Sequence, residues 1–463
     1  MLALLAAGAL ALAVQGPGAR NPAALDTAIA RMGGAEALGR IQRVRYEMMT
    51  QWQRTSFSDA PYADQPSYEL DSDVRDYAIP AWRNTRRFQG ARPGPAVVDI
   101  VRDSVAVRQI GPAPWAPLNV AYVDERREIF AFAPERVLLL AHSASDLRAT
   151  ADTTIGGLSY PRVAATIAGF PATIFFRRGD GLPAFVRYRA EQPNDFGLAP
   201  WGAMEVEVWY SSWTRTSAGV VLPRQLDIRR VGRPYKRITV LGMAFDTVAT
   251  ADSFAVSDSL RRTFLATASK PMYDLPLDSA KIVDGRFASF GAFGAPTGAV
   301  KLGRRWVLLE AGQAPLTAER AAAWLAQADS GATVAAAYVT TPTGNNGGAA
   351  WLAAQKIPVH AGPGAMPFLS RLLRNRRELP TAASPVTRAQ WRQVDGDSIW
   401  VEPIDFPDAQ GSLLLYVPSL RWAYSGMAAA PLQVEYLMRR LRDRGFVVER
   451  YGSLRGLTTA VPK

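Results

Sequence analysis

The stretch Tyr338-Val339-Thr340-Thr341-Pro342-Thr343-Gly344-Asn345-Asn346-Gly347-Gly348-Ala349-Ala350-Trp351 decides the fold of the C-terminal part of this chain. The apolar run Val334–Val339 predicts a buried strand that leads directly into a polar loop. A short helix is predicted to begin at Gly348. In the plainest interpretation the loop has only a structural role, with Asn345 or Asn346 capping that helix and the glycines adopting positive φ.

Strand and helix signals alternate on both sides of this loop. Before it, Trp306–Leu309 predicts a strand, and Thr317 is predicted to cap a helix whose apolar residues recur at helical spacing. After it, Ile357–His360 predicts a strand, and residues 411–418 and 421–426 predict a hairpin. The last helix is predicted to bury one face, formed by Val434, Leu437, Met438 and Leu441.

This order of elements resembles the metallo-β-lactamase superfamily, whose signature is Thr-His-x-His-x-Asp-His followed by a Gly-Gly helix start. The hairpin that ends at Gly426 resembles the family's hairpin ending in Gly-Asp. The resemblance covers residues 280–463 and implies a four-layer αβ/βα sandwich that follows an α+β N-terminal domain. In this family zinc is held by imidazoles and carboxylates and activates a water molecule.

Every ligand of the family's metal site is replaced in this chain. The residues at these positions are Thr341 and Thr343 for the first two histidines, Asn345 and Asn346 for the Asp-His pair, Met427 for the aspartate of Gly-Asp, Phe406 or Pro407 for the histidine before the hairpin, and Arg455 for the last histidine. The two histidines of the chain, His142 and His360, fall on no ligand position. The resemblance therefore implies a pseudoenzyme without a metal or cofactor, and too few carboxylates converge to favour Ca²⁺ or Mg²⁺ instead.

A catalytic alternative depends on the carboxylates that remain near the predicted cleft. Glu310 follows the Trp306–Leu309 strand, and Asp405 and Asp408 precede the hairpin. A hydrolase with a different metal, or with none, would use one of these three residues as its base.

Residues 21–270 predict a curved antiparallel sheet with a few helices. Val44, Tyr46 and Met48 alternate with polar residues, as in a strand with one wet face. Residues 178–181 predict a hairpin turn, and Pro134 is expected to interrupt a helix within residues 128–144. The pattern resembles the half-barrel of periplasmic lipoprotein carriers, which implies either a lipid or hydrophobic-peptide site or, as the favoured alternative, a closed core.

The N-terminal residues 1–20 predict a secretory signal peptide. Leu2–Val14 is an apolar run too short to span a bilayer, and Ala11-Leu12-Ala13 has the pattern of a cleavage site. The chain has no cysteine, which excludes a lipid-modified cysteine, a disulfide framework and a thiolate metal site. We therefore expect a periplasmic or secreted protein.

The net charge of +12 does not predict nucleic-acid binding. Six of the 53 basic residues are lysine, so the excess is arginine, and the basic clusters fall on predicted helices as solvated faces. An anionic membrane surface is retained as a second partner.

The sequence favours an exported, non-catalytic binding protein for a small molecule or lipid. The alternatives are the hydrolase and a lipid or lipoprotein carrier that works through residues 21–270. The sequence leaves the oligomeric state open.

Overall fold

Three β-sheets follow one another along the chain in the computed structural model. The structure describes residues 23–54, 65–90, 94–191, 203–230, 232–246, 251–270, 277–292, 295–312, 315–342, 346–374, 383–407 and 409–461. Within these residues no helix is both long enough and apolar enough to span a membrane.

The first sheet has 13 strands in the order β6-β5-β4-β3-β2-β1-β13-β12-β11-β10-β9-β8-β7. Neighbouring strands are antiparallel, and β1 pairs with β13, so the first and last strands meet in the middle of the sheet. The strands are β1 (Arg43–Arg54), β2 (Gln65–Asp76), β3 (Ala81–Gln89), β4 (Val97–Arg102), β5 (Val105–Ile110), β6 (Ala116–Pro117), β7 (Arg148–Ile155), β8 (Leu158–Ile167), β9 (Phe170–Phe176), β10 (Pro183–Glu191), β11 (Ala203–Arg215), β12 (Val221–Arg230) and β13 (Arg233–Phe245).

Sequence alternation predicted this sheet correctly. In β1, Val44, Tyr46 and Met48 are buried, whereas Arg45 and Glu47 are exposed. The helices of this part are α1 (Ala23–Arg31), α2 (Ala35–Arg40), α3 (Ala121–Ala131), α4 (Val137–His142) and α5 (Asp258–Thr267), with a 3₁₀ turn at Ala251–Phe254. The predicted interruption at Pro134 lies between α3 and α4, because proline removes a helical hydrogen bond and clashes with the preceding turn.

The second sheet has seven strands in chain order, and its second half is parallel. The strands are β14 (Asp278–Val283), β15 (Phe287–Ala292), β16 (Ala295–Leu302), β17 (Arg305–Leu309), β18 (Val334–Val339), β19 (Val359–Ala361) and β20 (Ser384–Pro385). Each parallel connection after β17 contains one helix, namely α6 (Pro315–Ala328), α7 (Ala349–Ala354) and α8 (Met366–Arg374). This is the arrangement expected for parallel neighbours, which need a crossover connection.

The third sheet has six strands in chain order. They are β21 (Gln390–Val394), β22 (Asp397–Phe406), β23 (Ala409–Val417), β24 (Trp422–Tyr424), β25 (Arg450–Ser453) and β26 (Gly456–Ala460). A 3₁₀ turn at Pro418–Leu420 joins β23 to β24, and α9 (Pro431–Asp443) separates β24 from the parallel strand β25.

Three apolar clusters organise the second and third sheets. One contains residues of both sheets, including Val307, Tyr338, Leu413 and Trp422. A second joins the second sheet to α6, α7 and α8, and a third joins the third sheet to α9. The predicted inner face of α9 is confirmed, because all four of its predicted core residues are buried.

One helix start was predicted wrongly. Thr317 does not cap α6, because the helix begins two residues earlier at Pro315, and Thr317 is buried within its first turn. Proline is favoured at a first helical position, where its fixed φ fits and no N–H is needed.

The first sheet ends at Phe245 and the second begins at Asp278. The domain boundary predicted at 270–280 stays a prediction.

Candidate functional site

Glu310 occupies the carboxyl end of β17, beside the loop that follows β18. Its backbone N–H donates to Tyr338 O at 2.9 Å, which continues the parallel pairing one residue beyond the strand. Its φ of +72° lies in the left-handed region, which side-chain-bearing residues seldom adopt. Because the carboxyl ends of parallel strands meet at one edge of a sheet, the Glu310 side chain lies next to Thr340 and Thr341.

Two threonines hold the Glu310 carboxylate through both backbone and side chain. Thr340 N donates to Oε2 at 3.0 Å and to Oε1 at 3.2 Å, and Thr341 Oγ1 donates to Oε2 at 3.1 Å. The Thr340 hydroxyl donates to Oε1, and Thr341 N lies 3.4 Å from Oε2. Glu310 is 1% exposed, and this burial raises its pKa to about 7 in spite of the donors that favour its charged form.

A third loop joins this arrangement through Gly426. Gly426 N donates to Thr340 Oγ1 at 2.8 Å, so the Thr340 hydroxyl links the loop after β24 to Glu310. A side chain at position 426 would place its Cβ 2.6 Å from Thr341 Cγ2 and 2.8 Å from Glu310 Oε1. Glycine is therefore required by this close approach. We call Glu310, Thr340, Thr341 and Gly426 the Glu310 knot.

Asn346 lies on the side of the loop that leads into α7. It is 1% exposed, and neither Oδ1 nor Nδ2 has a hydrogen-bond partner among the described residues. The prediction that Asn346 caps α7 is wrong, because the N-cap is Gly348 and no side chain caps the helix. Only the backbone oxygen of Asn346 takes part, accepting from Ala349 N at 3.1 Å in a turn. Asn345, the other predicted cap, lies outside the described residues.

Met427 and Arg455, which the sequence also predicted to stand at ligand positions, are close to Gly426 in the chain or in the fold. Met427 is buried in the cluster that packs against α9. Leu454 N lies 3.5 Å from Gly426 O, which brings the tight turn before β26 to this edge, but the Arg455 side chain in that turn is exposed. Thr343 lies outside the described residues.

The predicted bases differ in what they contact. Asp405 is exposed, and its Oδ1 accepts from Gly411 N at 2.7 Å, so it stabilises the turn between β22 and β23. Gly411 O in turn accepts from Gly364 N at 2.9 Å. Asp408 lies outside the described residues. Sequence reasoning identified Glu310 and Thr341 but missed Thr340. This residue precedes Thr341 in the chain and matches no ligand position of the motif.

The residues present do not fit the zinc that the family resemblance implies. Zinc sites in proteins use imidazole, thiolate or carboxylate ligands, whereas the described positions carry threonine, asparagine, methionine and arginine. The Glu310 carboxylate already accepts hydrogen bonds on both oxygens. Among the described residues, no three His, Cys, Asp or Glu side chains are grouped closely enough to hold a metal ion.

The inner face of the first sheet is the other predicted site. The cluster on this face joins strands of the first sheet to α1 and α4, so the protein's own side chains cover it. Phe368 of α8 belongs to the same cluster, and the Arg233 guanidinium lies 4.5 Å from its ring centroid. Lipid binding at this face stays a prediction.

Structural comparison found similar chains for both parts of the molecule. An outer membrane lipoprotein-sorting protein domain from Vibrio parahaemolyticus is 8% identical, with 50% of this chain and 95% of that chain covered at a TM-score of 0.31. The DIM-1 metallo-β-lactamase is 13% identical, with 40% and 92% covered at 0.31. The sec-alkylsulfatase Pisa1 from Pseudomonas sp. is 14% identical, with 40% of this chain and 39% of that chain covered at 0.32.

Both resemblances of the sequence recur among solved structures. No protein-family model matches the sequence. No curated protein matches it either. The activities in the names of these structures belong to those proteins.

Proposed function

We propose that this chain is an exported, non-catalytic binding protein whose C-terminal part is a four-layer αβ/βα sandwich of the metallo-β-lactamase type without a metal. The layer order is supported by the three apolar clusters, with helices on the outer face of each of two facing sheets. Export is supported by the apolar run Leu2–Val14 and the site Ala11-Leu12-Ala13.

The observation that carries the non-catalytic assignment is the Glu310 knot. A catalytic carboxylate must reach a substrate or a water molecule within hydrogen-bond distance. Glu310 is buried, and its two oxygens accept from Thr340 and Thr341, so its role in this geometry is to connect the loops after β17, β18 and β24.

A hydrolase is the second candidate, and one observation favours it. The pKa of Glu310 is raised to about 7, the range in which a general base is most effective at neutral pH. To act as a base, Glu310 would have to exchange its threonine donors for a substrate, which requires the loop after β18 to open. The closed geometry favours the binding protein.

We assign ligand binding to the predicted cleft, which would lie at the edge where the Glu310 knot lies. Asn346 and Ser425 are both buried. Neither the Asn346 side-chain amide nor the Ser425 hydroxyl has a hydrogen-bond partner among the described residues. Buried polar groups are almost always hydrogen-bonded, and a small polar ligand would satisfy these two. A lipid on the first sheet and an anionic membrane surface are further partners within this proposal.

The test combines metal content with turnover on the full mature protein. We expect less than about 0.1 equivalent of zinc, iron or manganese, no hydrolysis of lactam and carboxylic-ester substrates, and the same result for Glu310→Gln. Glu319→Gln is the matched control, since it removes an exposed carboxylate from α6 and leaves the Glu310 knot intact. Turnover that is present in the wild type and in Glu319→Gln but lost in Glu310→Gln would establish the hydrolase.

Binding is tested separately by native mass spectrometry of protein purified from the periplasm. We expect a bound small molecule that is released on unfolding and is missing from Asn346→Ala. Thr459→Ala serves as control, because this residue is exposed on β26. An identical mass for the protein before and after denaturation would overturn ligand binding at this cleft.

A further inference from the structure

Three chemically active side chains converge between the second and third sheets, on β18, β19 and β21. Tyr338 and His360 are register partners on adjacent strands, and their ring centroids are 5.0 Å apart. Arg392 is the register partner of Ile399, which is buried in the cluster between the two sheets. Tyr338 belongs to that same cluster, so all three side chains face the layer between the sheets.

Two nitrogen atoms in this group are buried without a hydrogen-bond partner among the described residues. They are His360 Nδ1 and Arg392 Nε. A buried guanidinium N–H without an acceptor loses the hydrogen bond it would make in water, and this loss is unfavourable for a charged group. An acceptor with negative charge would recover that energy.

The cluster is accessible from the open edge of the molecule's C-terminal part. His360 and Arg392 are half-buried, and the neighbouring edge strand β20 consists of Ser384 and Pro385, which are both exposed. The edge strand β21 borders the cluster on the other sheet. Parts of both residues are therefore open to solvent, next to the buried nitrogen atoms.

The electrostatics of the group favour an anion. Burial first and the Arg392 charge second lower the pKa of His360 to about 4, so the imidazole is neutral at pH 7. Burial raises the pKa of Tyr338 to about 12, so its hydroxyl remains a donor. The titratable and charged groups that face His360 are Tyr338 from β18 and Arg392 from β21, and no carboxylate among the described residues shifts its pKa.

We infer that Arg392, His360 and Tyr338 form a binding site for a small oxyanion, either a carboxylate or a phosphate monoester. The guanidinium supplies charge and a donor, and the tyrosine hydroxyl supplies a second donor. The imidazole donates from one ring nitrogen when it is neutral and from both when it takes up a proton. This site goes beyond the proposed function, because it shares no residue with the Glu310 knot and does not require the cleft to bind anything.

Binding and protonation are linked at this site. A bound anion favours the charged imidazole and returns the His360 pKa towards its ordinary value of 6.5. Full return would strengthen binding by about 30-fold between pH 8 and pH 5. Sulfate is the best probe for this dependence, because its charge does not change in that range.

The experiment is calorimetric titration of the full mature protein with sulfate, inorganic phosphate and acetate at constant ionic strength. We expect Arg392→Ala to weaken sulfate binding at least about tenfold. Arg388→Ala is the matched control, because it removes an exposed arginine from the connection just before β21 and should leave affinity unchanged. His360→Gln should bind at pH 8 as the wild type does and lose the rise at pH 5. Tighter binding of acetate than of phosphate would identify a carboxylate ligand, and the reverse order a phosphate.

Imidazole NMR gives an independent result, since the chain has only two histidines. Saturating sulfate should raise the pKa of His360, whose imidazole signals are assigned by their loss in His360→Gln. Equal sulfate affinity in the wild type and Arg392→Ala, or a His360 pKa that sulfate does not move, would overturn the site. Circular dichroism of each variant shows whether a loss of binding reflects a loss of fold.

Discussion

Replacing Glu310 by glutamine should change how the stability of the C-terminal part depends on pH. Burial raises the pKa of Glu310 from 4.5 to about 7, so the folded protein keeps this proton when the unfolded chain has already lost it. As pH rises from 4.5 towards 7 the unfolded state is favoured progressively. The stability contributed by Glu310 is therefore greatest at acid pH and is lost as pH rises through about 7.

The size of the effect follows from the two pKa values. Between pH 5 and pH 8, the shift from 4.5 to about 7 lowers the free energy of unfolding by about 2.5 kcal/mol. Glutamine has nearly the same shape and can still accept from Thr340 and Thr341, but it has no proton to lose. The free energy of unfolding of Glu310→Gln should therefore lack this decline. The difference in unfolding free energy between the wild type and the variant should change by about 2–3 kcal/mol between pH 5 and pH 8.

Urea unfolding at pH 5, 6, 7 and 8, followed by tryptophan fluorescence and circular dichroism, measures this difference. Asp71 and His360 also have shifted pKa values, but both residues remain in each protein, so their contributions cancel. Glu319→Gln is the control, since it removes an exposed carboxylate from α6 and should keep the wild-type decline. Parallel stability curves for the wild type and Glu310→Gln, within about 0.5 kcal/mol, would refute the raised pKa.

Three further predictions concern packing and processing. Gly426→Ala should destabilise the protein by about 1–3 kcal/mol in urea unfolding, because the added Cβ overlaps two neighbours, whereas Gly39→Ala, with open space around it, should be neutral or slightly stabilising. A result in which both variants are neutral would contradict the close approach at the Glu310 knot. Leu437→Ala should cost about 2–5 kcal/mol because it opens a cavity under α9, and Leu432→Ala on the exposed side of the same helix less than about 0.5 kcal/mol. N-terminal sequencing of protein from the periplasm should begin between residues 14 and 21; an intact residue 1 would argue against a cleaved signal peptide.

Local signals explain which parts of the fold were predictable. The alternation in β1, the apolar face of α9 and the break at Pro134 each depend on residues close together in the chain, and all three are found in the structure. The predicted caps at Thr317 and Asn346 were wrong for a related reason. Several residue types near a helix start can act as a cap, and the choice depends on how the chain packs just before the helix.

The candidate site was predictable only in part. The resemblance in motif order was enough to select Thr341, Asn346 and Met427, because motif order is a property of the sequence. Their chemistry could not be predicted in the same way. Met427 packs under α9 and Asn346 lacks a partner among the described residues, and both facts depend on neighbours that are distant in the chain.

The sequence by itself determined which donor atoms residues 280–463 can offer, namely one imidazole and no thiolate, because residue identity alone decides which donor atoms are present. Only the tertiary structure decided which polar groups meet. Glu310 and Thr340 are 30 residues apart, and Thr340 and Gly426 are 86 residues apart, yet hydrogen bonds join them at one edge of the two sheets. The same holds for Arg392 and His360, which meet only where the two sheets face each other. Burial shifts the pKa values of Glu310 and His360, and burial exists only once these strands are packed together.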